Sequence, residues 1–143
     1  MSKRYEAAMH TAEHVLNGVM VAMFDCGRCF SARINPGKSK CDYHFDRALS
    51  EDEATEVQRR VNEQLARNLP VSDEMTSVQD AASRYDLGRL PEGVNEVRVV
   101  HVGDFDSCPC IGQHVSKTED VGVFRLTTHD YSEGVLRIRF KLD

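Results

Sequence analysis

The sequence predicts an α+β fold in which helices pack on an antiparallel sheet. Two segments in the first half repeat apolar residues at helical spacing, whereas the other segments alternate apolar and polar residues as strands do. Turn residues separate neighbouring strand-like segments, as in hairpins. The order is a helix, a hairpin, a helix and then mostly strands, which indicates helices packed against an antiparallel sheet.

Length and composition indicate a single domain over residues 1–143. A chain of this length can bury a core without stabilising disulfides or metal ions. We find neither an internal repeat nor an interdomain linker. With 41% hydrophobic and 29% charged residues, the composition is typical of globular rather than disordered proteins. The sequence lacks a recognisable signal peptide and a run of about 18 apolar residues, so we expect a cytoplasmic protein. Five cysteines, an odd number, then favour reduced thiols or metal ligation over a disulfide scaffold.

The first predicted helix spans residues 5–24 and should be mostly buried. Its apolar residues recur at helical spacing, at Ala8, Ala12, Val15, Leu16, Val19 and Met23. His10 and His14 lie on this helix, with Glu13 beside the second histidine.

A hairpin follows, in which "CFSARIN" and "KCDYHFD" are strands joined by a turn at Pro36 and Gly37. The stretch 28–40 contains four basic residues and no acid, namely Arg28, Arg33, Lys38 and Lys40. Such a patch is either a solvated hairpin surface or a contact for phosphates. The net charge of −5 gives no general preference for nucleic acid.

The second helix has the clearest signals. Ser50 is placed to cap its N-terminus, and Glu53, three residues later, completes a capping box. One apolar stripe follows, formed by Ala54, Val57, Val61, Leu65 and Leu69.

The second half of the chain is predicted to consist mostly of strands. We expect a strand over 71–78, a brief helix over 81–85 and a loop, "LGRLPEG", that projects over one face. "NEVRVVHV" is a strand, "DFDSCPCIGQHV" a turn-rich connection, and "VGVFRLTTHDY" with "GVLRIRF" a final hairpin.

Two separated pairs of residues have the spacing of metal ligands. His10 and His14 stand one helical turn apart, with Cβ atoms expected about 5–6 Å from each other. Cys110 and His114 have the same separation, with Gly112 between them allowing a tight backbone path. Together they make one thiolate and three imidazoles, a ligand set that zinc favours.

Several other interpretations of these residues are open. Four protein ligands could form a closed structural zinc site, whereas a catalytic zinc usually keeps an open position. "HTAEH" also matches the H-x-x-E-H pattern of inverted zinc peptidases, although those use larger domains and other ligands. Glu13 is more simply expected on the helix flank, exposed or bonded to a neighbour, from where it could orient a water.

The remaining cysteines and histidines are expected to be structural. Cys26 and Cys29 form a C-x2-C pair, which serves as a redox couple or as half of a zinc knuckle. They follow a helix rather than open one, and no second C-x2-C occurs. The other histidines lie in strand patterns, at His44, His101 and His129.

Four segments in order resemble the editing domain shared by alanyl- and threonyl-tRNA synthetases and its free-standing AlaX-type trans-editing form. They are "HTAEHVLNGV", "KCDYHFDRALSEDEATEVQRRVNEQL", "VRVVHVGDFDSCPCIGQHV" and "VGVFRLTTHDYSEGVLRIRF". The resemblance covers nearly the whole chain. It implies a zinc-dependent deacylase that hydrolyses the ester between a wrong amino acid and the 3′ end of tRNA, such as serine or glycine on tRNA-Ala.

The resemblance also implies the metal ligands, which carry over to His10, His14, Cys110 and His114. The second motif commonly reads C-G-G-T-H or C-x-G-P-H in the family, and here it reads C-I-G-Q-H. Ile111 and Gln113 thus match neither form. The family also tends to have an acid two residues before the motif cysteine, where this chain has Cys108. These departures leave the amino-acid specificity open.

Further site residues follow from that chemistry. Thr11 and Gln113 are polar residues beside the expected ligands and are candidates for a hydrogen bond to a substrate hydroxyl. The alternative for each is a structural role. Zinc would activate water or hold the substrate. We expect the basic hairpin residues, with Arg84 and Arg89 as lesser candidates, to contact the tRNA acceptor end. The alternative is a zinc-bearing domain of the same fold that binds a small amino acid, tRNA or a protein without turnover.

Overall fold

The computed structural model describes residues 3–85, 87 and 93–143. The described elements are α1 (Lys3–Phe24), β1 (Ser31–Arg33), β2 (Ser39–His44), α2 (Glu51–Ala66), β3 (Val71–Ser77), α3 (Val78–Ala82), β4 (Glu96–Val102), β5 (Asp106–Pro109), a 3-10 helix (Thr118–Asp120), β6 (Phe124–Ser132) and β7 (Val135–Leu142). The α+β prediction is confirmed.

The larger of the two described sheets has four antiparallel strands in the order β1-β2-β7-β6. Tyr43 of β2 lies opposite Leu136 of β7, and both side chains are fully buried. The core combines this sheet with α1 and α2, and its largest buried side chains include Phe124, Phe140 and Met9. Burial of such side chains is the main stabilising contribution, at about 1.5–3 kcal/mol each.

The two long helices are buried to different extents, as their patterns predict. Most of α1 from residue 7 to residue 20 is buried, because the helix is covered by the sheet, α2 and β5. In contrast, α2 buries one stripe and exposes the rest. Its capping box is formed: Ser50 accepts from the Glu53 backbone at 3.1 Å, and the Glu53 carboxylate accepts from the Ser50 backbone at 2.9 Å.

The antiparallel strands form two sheets, since β3, β4 and β5 make a second, three-stranded antiparallel sheet. The stretch 106–109 was expected to be part of a turn-rich connection, but it pairs with β4, with Cys108 opposite Val100. Its sequence, "DSCP", has no apolar alternation, and only the neighbouring strand makes it extended. This strand packs against α1 and ends immediately before Cys110, so it places the C-I-G-Q-H motif beside that helix.

The short third helix begins earlier than expected. It starts at Val78, because the Ser77 side chain accepts a hydrogen bond from the Asp80 backbone at 3.1 Å and caps the helix there. Most of the loop "LGRLPEG", including Arg89, lies outside the described residues, so its predicted projection stays a prediction. None of the described helices is long and apolar enough to cross a membrane.

Candidate metal centre and groove

The structure brings the four predicted ligands together. One donor atom from each of His10, His14, Cys110 and His114 lies within 4.8 Å of all the others. The Cys110 sulfur is 3.4 Å from His10 Nε2 and 3.5 Å from His114 Nε2. The imidazole centroids of His14 and His114 are 4.5 Å apart. This cluster of a thiol and three imidazoles could hold a metal ion.

Two glycines allow the motif segment to approach α1 this closely. At Gly18, one helical turn after His14, a Cβ atom would lie 2.6 Å from the ring of Phe105. At Gly112, a Cβ atom would lie 2.0 Å from His10 Cε1. Real Cβ atoms do not make such contacts, so a side chain at either position would push the two segments apart.

Arg98 of β4 holds the motif loop from the other side. Its Nη1 donates to the carbonyl oxygens of Cys110, at 3.1 Å, and Gly112, at 2.7 Å. Its Nε donates to the Asp73 carboxylate at 2.6 Å. The guanidinium thereby fixes the backbone on both sides of Ile111, which itself is almost fully exposed.

Thr11 is fully buried and contacts His114, one of the four candidate ligands. Its hydroxyl donates to the Ala7 carbonyl at 3.0 Å and lies 3.0 Å from His114 Nδ1. Because the hydroxyl proton is used on Ala7, Nδ1 of His114 is the donor in that contact. The tautomer that results leaves His114 Nε2 unprotonated beside the Cys110 sulfur, as a metal ligand must be.

The electrostatics suit ligands that bind as neutral imidazoles. Burial lowers the pKa of His14 to about 2, with the neighbouring histidine and arginine charges adding to the effect, and lowers that of His114 to about 3. Burial also lowers the pKa of His10 and raises that of the Cys110 thiol. The imidazoles are therefore neutral near neutral pH, whereas the thiol must lose its proton when a metal binds. His14 Nδ1 is buried without a hydrogen-bond partner among the described residues.

A groove of about 840 Å³ opens beside the cluster, and His10, His14 and Cys110 form part of its wall. Its other walls combine polar, basic and aromatic side chains, among them Asn17, Arg28, Phe30, His44, Arg84 and Cys108. Phe30 is about half exposed and stacks on His44 with ring centroids 4.0 Å apart. On the other side of His10, a smaller cavity of about 420 Å³ is lined by Ile34, Ile111 and Gln113.

Glu13 lies at the wall of the groove, where it is buried and bonded to a neighbour, the second of the two placements expected for it. Its Oε1 is 3.5 Å from His10 Nε2, and its Oε2 accepts from the amide of Asn17. The Asn17 oxygen in turn accepts from the Tyr43 hydroxyl at 2.7 Å and from the Cys29 backbone at 3.1 Å. Burial raises the pKa of Glu13. The carboxylate is thus held in one orientation by a buried network.

The predicted basic residues divide into two groups. Arg28 precedes β1 and forms a two-bond ion pair with the buried Asp106, at 2.7 and 3.2 Å, while Lys40 contacts Asp42 at 3.5 Å. Arg33 and Lys38 are exposed and form no ion pair with any described residue. Arg84 lies at the groove with its guanidinium 5.9 Å from the Tyr85 ring centroid.

Three residues that sequence reasoning missed organise this site: Asn17, Arg98 and Asp106. Each has at least one partner that is 12 or more positions away in the chain: Cys29 for Asn17, Gly112 for Arg98 and Arg28 for Asp106. No local pattern signals such a role. Only the position of Asn17 one turn after Glu13, on the same helix face, could have suggested the first contact.

Comparisons with known proteins agree with this fold. Residues 97–139 match the family model of the threonyl and alanyl tRNA synthetase second additional domain. Over 132 residues, or 90% of the chain, the sequence is 31% identical to alanine–tRNA ligase of Fervidobacterium nodosum. Identity is 31% over 135 residues with the Francisella tularensis ligase and 29% over 141 residues with that of Bdellovibrio bacteriovorus. The chain spans only 15–16% of the length of these relatives.

Proposed function

We propose that this domain is a zinc-dependent hydrolase that removes a wrong amino acid from tRNA in trans, with seryl- or glycyl-tRNA-Ala as its substrates. The observation that carries the proposal is the convergence of His10, His14, Cys110 and His114, the first three of which form part of the wall of an open groove. Similarity to alanine–tRNA ligases over at least 90% of the chain supports a role that involves tRNA.

Zinc is the metal we propose for this cluster. One thiolate and three imidazoles make up a donor set typical of zinc sites. Bound zinc would supply an activated water or polarise the ester carbonyl. The groove beside the ligands leaves room for a substrate to reach them, which favours this role over a purely structural one.

Glu13 is the proposed residue for orienting the attacking water. Its carboxylate is held by Asn17 and stands beside His10 at the groove wall, so it needs no rearrangement to accept a hydrogen bond from a water there. An aminoacyl ester is already activated, so a positioned water suffices without a covalent nucleophile.

Thr11 and Gln113 take different proposed roles. The Thr11 hydroxyl is occupied by Ala7 and His114, so it acts as a positioning residue for His114. Gln113 is exposed at the smaller cavity beside His10, where its amide is available to bond the hydroxyl of a seryl group. A site built around such a bond would reject alanine, which leaves the amide unpaired.

The proposed tRNA contact is the hairpin of β1 and β2. Arg33 and Lys38 are exposed there, and Ile34 lines the cavity beside His10, so the hairpin flanks the site. Arg84 at the groove is a further candidate for a phosphate. Contacts of this kind are sensitive to salt.

The test is hydrolysis of seryl-, glycyl- and alanyl-tRNA-Ala, with seryl-tRNA-Thr alongside, by zinc-loaded and chelator-stripped protein. We expect loss of one mischarged species only, and only with zinc present. His10→Ala and Cys110→Ala should each sharply reduce bound zinc and abolish this activity. Stoichiometric zinc in both variants would refute the ligand assignment.

Two other outcomes would replace the proposal. Folded, zinc-loaded protein that turns over none of these tRNAs would point to a binding domain without catalysis. Cleavage of a peptide panel that is lost in Glu13→Gln would instead indicate a metallopeptidase, whereas an editing enzyme should cleave no peptide at all.

A further inference from the structure

A second buried carboxylate, that of Asp106, stands behind the metal cluster. Its Oδ2 lies 3.8 Å from His14 Nδ1, on a ligand that is only 2% exposed. Asp106 itself is 8% exposed, and both of its oxygens accept from the guanidinium of Arg28. A paired, oriented carboxylate therefore faces a ring nitrogen of one ligand.

That ring nitrogen is otherwise unsatisfied. His14 Nδ1 is the one buried side-chain nitrogen or oxygen without a hydrogen-bond partner in the part of the chain that the structure describes. Leaving such a group unpaired costs about 1–3 kcal/mol, so native proteins rarely keep one without a reason. A metal-ligating histidine usually donates its second ring N–H to a carboxylate, and this fixes the tautomer and orientation of the ring.

We propose that Asp106 is a positioning residue for the metal site, which accepts a hydrogen bond from Nδ1–H of His14 so that Nε2 faces the metal. The inference rests on the metal-binding part of the proposed function. The present distance of 3.8 Å between Nδ1 and Oδ2 is longer than a hydrogen bond, so the proposal requires the two groups to approach each other when the metal binds.

Packing holds Asp106 in place for this role. Gly18, one turn after His14, lets the 105–106 segment lie directly against α1, and a Cβ atom there would come within 3.3 Å of Asp106 Oδ1. Arg28 meanwhile holds both carboxylate oxygens through parallel bonds, the geometry that guanidinium groups favour. The ion pair therefore orients the carboxylate toward His14 instead of leaving it to turn.

The first test measures the affinity for zinc alone by competition with a chromophoric chelator. Asp106→Asn keeps the size of the side chain but replaces one oxygen with an NH2 donor, so it cannot accept both bonds from Arg28 and a third from His14. We expect zinc affinity to fall by about 10- to 100-fold. The matched control is Asp104→Asn, because Asp104 belongs to the same turn, is largely exposed and pairs with Arg67 at the surface. It should keep the parent affinity.

The second test needs no variant and reports on the ring itself. In the zinc-loaded parent protein, nitrogen-15 NMR should show His14 protonated on Nδ1, with a downfield proton protected from solvent exchange. A metal-bound Nδ1, or parent affinity in folded Asp106→Asn, would overturn the proposal. Neither measurement involves tRNA, so a protein that passes both and hydrolyses no aminoacyl-tRNA would refute the proposed function alone.

Discussion

Gly112 lies directly against the imidazole of His10, such that a Cβ atom at position 112 would be 2.0 Å from Cε1 and 2.2 Å from Nδ1 of that ring. The glycine therefore provides the space in which a proposed metal ligand stands. Gly112 does not have the positive φ angle that favours glycine. Glycine is needed at this position because the His10 ring lies too close for a Cβ atom.

Gly112→Ala should displace His10 and weaken zinc binding by at least about tenfold, because a misplaced ligand loses its coordination geometry. Chelator competition measures the affinity, and unfolding of the metal-free protein reports whether the fold survives. Gly37→Ala is the matched control, since a Cβ atom there meets nothing within 4 Å. Equal zinc affinity in the two variants would contradict this account of Gly112.

Thr11→Val should destabilise the metal-free protein by about 1–3 kcal/mol, because it leaves His114 Nδ1 and the Val115 amide without their shared partner. The measurement is urea unfolding of stripped protein. Thr11→Ser should restore most of the loss. Thr128→Val, on an exposed residue of β6, should change stability by less than about 0.5 kcal/mol. A Thr11→Val protein as stable as the Thr128→Val control would show that the hydroxyl contributes nothing.

The pairing of His10 with His14 was predictable because residues four apart share one face of a helix. The pairing of Cys110 with His114 was predicted from the same separation, but these two residues lie in a loop. Helix α2 was predictable for a similar reason, since its cap and apolar stripe are local. By contrast, β5 is extended only because Val100 and its neighbours in β4 pair with it. Its two partners in the second sheet, β3 and β4, were predicted as strands, so only this third strand was missed.

The surroundings of the ligands depend on contacts that no local pattern encodes. Asp106 meets Arg28 across 78 positions, and an arginine expected at a hairpin surface is instead engaged inside the groove. Glu13 was expected on the helix flank, but the chain after α1 folds back over it and buries it with Cys29. Tertiary packing determines which partners these side chains contact and whether they are buried. The sequence alone shows only that the side chains are present.

The pair of Asp42 and Arg137 across β2 and β7 should make stability depend on acid pH. Hydrogen bonds from Arg137 at 2.8 and 3.0 Å lower the pKa of Asp42 in the folded protein. A lowered pKa stabilises the fold above the unfolded value, about 3.9, and this contribution is lost as the pH falls through the folded value. Asp42→Asn should thus cost about 1 kcal/mol at pH 7, since Arg137 is partly solvated.

Unfolding by urea at a series of pH values measures this contribution. The difference between parent and Asp42→Asn should narrow below about pH 4, where the unfolded carboxyl takes up its proton. Asp130→Asn is the control, because Asp130 pairs with Arg139 but has a side chain that is 58% exposed. A constant difference from pH 3 to pH 7 would show that charge at Asp42 is irrelevant.

The exposed basic residues of the first hairpin give the last prediction. Arg33 and Lys38 have no ion-pair partner among the described residues and flank the site, so they are placed to meet phosphates of an acceptor end. Reversing both charges, with Arg33→Glu and Lys38→Glu, should lower kcat/KM on aminoacyl-tRNA by about tenfold at low salt. It should also reduce the slope of log kcat/KM against the logarithm of the salt concentration by about 0.7 for each phosphate contact that is lost.

Hydrolysis of a small aminoacyl ester without tRNA should keep the parent rate, because neither residue touches the proposed metal ligands. The matched control is a second double reversal, Arg59→Glu with Arg67→Glu, at exposed residues of α2 and its C-cap, which changes the net charge by the same amount and should leave both reactions unchanged in the folded protein. If the hairpin and α2 reversals slowed the tRNA reaction equally, the effect would belong to overall charge, and the hairpin would have no specific part in binding tRNA.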